Sequence, residues 1–137
     1  MSVGIEIFVQ RENKDGIVPL DRAILADVLG RHAIIRDGKI LGAKFSDRDW
    51  GDIAGAEDLE MEHLCFDGGG EQFIQAVWEF ADRTNAYIFW IGETPCLAVT
   101  SDAALREVPE RTAKDIGPAK IVKNGHELLD CIARSNE

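Results

Sequence analysis

The sequence predicts an α+β fold: a mixed, mostly antiparallel sheet of about six or seven strands with helices packed on it. Three observations predict it. An Asp37-Gly38 pair stands between two β-like runs, which is the strongest short hairpin signal. Phe73, Ile74, Val77, Trp78 and Ala81 fall on one face at helical spacing. Tyr87-Ile88-Phe89-Trp90-Ile91 is continuous and apolar, as a central strand requires.

The remaining elements follow in chain order. Val3 to Val9 alternates as a strand, and the polar stretch Arg11 to Gly16 reads as a loop. After Pro19, the residues Leu20, Ile24, Leu25, Val28 and Leu29 form a helical stripe. Asp21 is placed to cap it and Gly30 to close it. His32 to Arg36 and Lys39 to Phe45 are the hairpin arms. Ser46 to Asp58 is polar with no clear period. Leu59 to Phe66 resumes a strand, with Leu59, Met61, His63 and Cys65 assigned to one face. Asp67-Gly68-Gly69-Gly70 breaks it before the second helix. Gly92 to Pro95 reads as a turn and Cys96 to Thr100 as its partner strand. Ser101 caps a helix that Pro109 limits, and Lys120 to Val122 is a short strand. Asn124 and Glu127 have capping-box spacing ahead of the last helix. The order is β-α-β-β-β-α-β-β-(α)-β-α. With no long linker or low-complexity segment, residues 1–137 read as a single domain.

Composition bounds the function. At 45% hydrophobic and 29% charged, the chain has a globular balance. A formal net charge of -10 argues against nucleic acid, whose phosphates attract Lys and Arg, and against anionic membranes. It suits a basic protein partner. Met1 to Val9 lacks the pattern of a secretory leader, and no apolar run reaches the roughly 20 residues of a membrane span. The three cysteines Cys65, Cys96 and Cys131 are odd in number and lie in apolar runs. They read as buried reduced thiols in a cytoplasmic protein.

Charge is concentrated. Residues 45–62 hold seven acids and one base, so this window carries -6 of the total. Trp50 stands in its middle. The window supports two readings. In one, Trp50 is an exposed anchor with a charged rim of Asp47, Asp49, Asp52, Glu57 and Asp58, the build of an interface for a basic partner. In the other, Trp50 tucks into the core and the acids solvate a loop.

Catalytic and metal signatures are weak. Asp47, Asp49 and Asp52 do not match a calcium loop, because Gly51 falls one place early for the sixth position. His32, His63 and His126 lack zinc spacing, so no metal and no cofactor is expected. Asp67 to Gly70 ahead of a helix resembles a phosphate cradle, but the lysine and hydroxyl of a P-loop are missing and Glu71 would repel an anion. A small enzyme or ligand-binding domain would place its pocket at that turn, near Cys65, His63 or His126. A homo-oligomer would pair Tyr87 to Ile91, or an edge hairpin, with a second copy.

A small acidic α+β domain without a catalytic constellation, carrying an acidic patch around Trp50, resembles bacterial immunity proteins, the antidotes of contact-dependent and other polymorphic toxins. The resemblance is one of type over the whole chain and transfers no residue. It implies a non-enzymatic protein that neutralises a basic toxin or nuclease domain.

Overall fold

The computed structural model describes residues 5–92 and 96–135. The predicted turn at Gly92 to Pro95 lies largely outside them.

The chain opens with β1 (Ile5–Asn13), β2 (Gly16–Val18), β3 (Leu20–Asp21) and α1 (Arg22–Leu29). A short 3-10 turn leads to β4 (Ala33–Arg36), β5 (Lys39–Ser46), β6 (Asp49–Ala54), β7 (Glu60–Met61) and β8 (Leu64–Gly68). There follow α2 (Glu71–Thr84), β9 (Tyr87–Trp90), β10 (Leu97–Val99), α3 (Asp102–Glu107), α4 (Glu110–Ile116), β11 (Lys120–Ile121) and α5 (Gly125–Ser135). The fold is α+β, as the sequence predicts. The main sheet is larger than expected, with nine strands among the described residues: eight run β11-β10-β9-β1-β8-β6-β5-β4, and β2 pairs the far end of β1. Pairings along it are antiparallel except β10 with β11. β3 and β7 form a separate antiparallel pair.

Local signals act where the sequence places them. Asp21 Oδ1 accepts from the Ala23 N–H at 2.8 Å and starts α1. Asp37 and Gly38 turn the β4–β5 hairpin with φ of 53° and 76°, the left-handed pair that a two-residue turn needs. Ser101 Oγ accepts from the Ala104 N–H at 3.1 Å, and Asn124 Oδ1 from the Glu127 N–H at 2.9 Å.

Three segments depart from expectation. Arg11 to Asn13 continues β1, and the loop shrinks to a tight turn into β2. Ser46 to Asp58 contains the strand β6, in which Asp49, Gly51 and Ile53 point inward and Trp50, Asp52 and Ala54 outward. Its inward residues include an acid and a glycine, so the alternation is invisible to hydropathy. Leu59 to Phe66 is two strands, not one. The break at Glu62-His63 shifts the parity, so Met61, Leu64 and Phe66 are buried, while Leu59 and His63 are exposed.

Two apolar layers result. On the inner face, α1, α2 and α5 cover Ile7, Val9, Ile53, Leu64, Phe66, Ile88 and Trp90. Burying each such large side chain contributes about 1.5–3 kcal/mol. On the outer face, α3 and α4 cover only one end, over Tyr87, Leu97 and Val99. Glu12 fastens that end. It is 8% exposed and accepts from Tyr87 Oη at 2.9 Å, Thr112 Oγ1 at 3.0 Å and Arg111 Nη2 at 2.7 Å. Among the described residues no helix covers the outer face over β1, β8, β6 and β5.

Candidate functional site: the open face of the sheet

Strand register builds this face. Glu6 on β1 stands opposite Asp67 on β8, and Asp67 stands opposite Asp52 on β6. All three side chains are exposed, and none is in an ion pair among the described residues. Three carboxylates thus form one row across three neighbouring strands. Like charges directly opposite on a sheet repel.

One row along, Phe8 faces Cys65, and Cys65 faces Ala54. Phe8 also stacks on Phe89 with ring centroids 5.1 Å apart. Phe8, Phe89 and Cys65 are half-buried, so this row is the apolar floor beside the acids. Trp50 lies on the other side of Asp52 along β6, opposite Lys44 on β5, and is 45% exposed. The open face therefore combines an exposed aromatic ring, an apolar floor and negative charge that is in no ion pair among the described residues.

The six residues singled out from the sequence do not form one patch. Trp50 and Asp52 are on the open face. Asp47 sits in the β5–β6 turn, 3.2 Å from Lys44 Nζ. Glu57 and Asp58 are exposed in the segment toward β7, which is tied to α1 by Arg22 Nη1 donating to the Glu57 carbonyl at 2.6 Å. Asp49 is 8% exposed and turns inward. Its Oδ2 accepts from the Gln72 N–H at 2.8 Å and its Oδ1 from the Phe73 N–H at 3.0 Å. It caps α2, and its carboxylate is not on the open face. Glu6 and Asp67 complete the acidic row. No local signal marks them, because they meet only through the β1–β8 register.

The same cap bears on the glycine-rich turn. Two backbone N–H groups at the start of α2, those of Gln72 and Phe73, are taken by the carboxylate of Asp49, in keeping with the reading that weighed against an anion cradle there. A Cβ on Gly70 would collide with that carboxylate, so the glycine is required for its approach. A shallow depression of about 190 Å³ does lie between α2 and α5, lined by Glu71, Gln75, Gly125, His126 and Leu129. His126 Nε2 lies 3.6 Å from Asp130 Oδ2, one turn further along α5. A larger cleft of about 530 Å³ runs between the β1–β2 hairpin and α3, where Arg11 Nε donates to Glu107 at 2.6 Å.

The three cysteines are free. Burial pushes each thiol up, and at Cys65 the neighbouring Glu6 and Asp67 add to the effect. An activated nucleophile needs the opposite shift. Among the described residues no group of three or more His, Cys, Asp or Glu side chains is placed to hold a metal ion. No helix among them is long and apolar enough to cross a membrane.

Comparison with known proteins adds no identity: no family description, no curated protein and no solved structure matches the chain.

Proposed function

We propose that this chain is a non-enzymatic binding protein of the immunity kind, which holds a basic protein partner against the open half of its sheet. One observation carries the reading: Glu6, Asp67 and Asp52 face one another unpaired beside the exposed ring of Trp50. A Lys or Arg from a partner, set between two of these carboxylates, replaces a repulsion with two attractions. Trp50 and the Phe8 floor supply the apolar area that charge alone lacks. The charged row also speeds encounter with a cationic surface.

The test is a low-salt pull-down from the source cells with two baits, the native chain and the triple variant Glu6→Lys, Asp52→Lys, Asp67→Lys. A basic protein held in stoichiometric amount by the native bait, released by salt and not held by the variant, supports the reading. Equal capture by both baits moves the interface elsewhere, and an empty native bait counts against a protein partner.

A further inference from the structure

We infer that the outer edge of β4 is a docking strand for an extended, acidic segment of another protein. β4 is the last strand of the main sheet, and among the described residues it pairs with β5 alone. The backbone groups on its other side are therefore without a ladder partner among the described residues. Such an edge is a template for strand addition. Its side chains are also uncovered: Ile34 is 43% and Ile35 58% exposed, and Leu41 beside them on β5 is 38% exposed. Ile34 and Ile35 point to opposite faces, so each side of an added strand finds an apolar residue.

Charge selects the occupant. The hairpin and its approach, residues 31–44, carry four bases and one acid in a chain whose net charge is -10. Arg31, Arg36 and Lys39 are exposed and in no ion pair among the described residues. Arg36 and Lys39 stand directly opposite each other in the register. Two like charges so placed repel, and one carboxylate lying along the edge answers both. A second copy of this edge would bring the same bases together, so charge disfavours self-pairing and favours an acidic strand. The inference does not depend on the acidic row of the open face, whose charge is of the other sign.

The test uses three short capped peptides: one alternating Glu and Val, the same peptide with a central Val replaced by Pro, and one alternating Lys and Val. Binding is read by fluorescence anisotropy at low salt, and its location by hydrogen exchange. The expected result is binding of the Glu–Val peptide alone, with new protection confined to residues 33–36. Arg31→Glu with Arg36→Glu should weaken it by about tenfold. Lys39→Glu, at the hairpin turn, gives a second and milder reversal should the double variant fold poorly. The triple Lys variant of the acidic row should bind the peptide no more weakly than the native chain. Equal binding of the Pro-interrupted peptide, protection elsewhere, or no binding would overturn the inference. So would a dimer in the absence of peptide that protects residues 33–36, since a second copy would then own the edge.

Discussion

Asp49 on β6 receives the Phe73 N–H of α2 at 3.0 Å, so a strand residue distant in sequence caps the longest helix. The local cap position is Gly70, which has no side chain to offer. Asp49→Ala leaves the first-turn N–H groups unsatisfied and should cost about 1–2 kcal/mol. Asp49→Asn keeps one acceptor oxygen and should cost less. Urea denaturation of the two variants measures both values.

Gly51 and Gly68 are paired across β6 and β8 and form the floor on which the Phe73 ring rests. A Cβ at Gly51 would run into that ring. Gly51→Ala should therefore destabilise by about 1–3 kcal/mol through overpacking. The added variant Phe73→Leu should recover part of the loss in thermal unfolding.

Glu12 is pushed up by burial, but hydrogen bonds from Arg111, Tyr87 and Thr112 outweigh this and hold its carboxyl below the usual glutamate range. A folded-state value lower than the unfolded one gives stability that is present above the unfolded value. It is lost as pH falls through the folded one. Glu12→Gln should flatten the acid limb of the stability–pH curve. At neutral pH it should cost about 1–2 kcal/mol, with the Arg111 share reduced because that side chain is exposed to solvent.

Tyr87 is the single tyrosine of the chain, so its titration can be followed by phenolate absorbance without interference. Burial, reinforced by the Glu12 carboxylate, pushes it up to about 12. The unfolded chain should titrate near the ordinary value of about 10. The raised folded value means that stability is intact below the unfolded value and falls as pH rises from there through the folded one. Absorbance at the ordinary pH in the folded protein would show that the Tyr87–Glu12 contact is open in solution.

Asp67 is the middle carboxylate of the acidic row and is repelled from both sides. Asp67→Asn should stabilise the free protein by a few tenths to about 1 kcal/mol. Added salt should stabilise the native chain more than this variant, because screening removes the same repulsion. Paired urea melts at low and high salt measure the difference.

Signals confined to a few neighbouring residues were legible in the sequence. The Asp37-Gly38 turn, the Ser101 and Asn124 caps and the apolar stripe from Phe73 to Ala81 each depend only on local geometry. Trp50 and Asp52 were legible too, since charge density marks their neighbourhood. The strand β6 was not, because its inward positions are filled by a capping acid and by a glycine that makes room for a ring. Both requirements come from α2, which no local window includes. The acidic row was hidden for a related reason: Glu6 and Asp67 become neighbours through the pairing of β1 with β8, and nothing near either residue specifies that register.

Strand β6 divides its duties by parity. Asp49, Gly51 and Ile53 serve the interior, while Trp50, Asp52 and Ala54 meet the outside. Among divergent relatives, substitutions should therefore accumulate at every second position of this strand. The outward set can drift without loosening the helix cap, and the inward set should stay fixed because the cap and the ring contact depend on it.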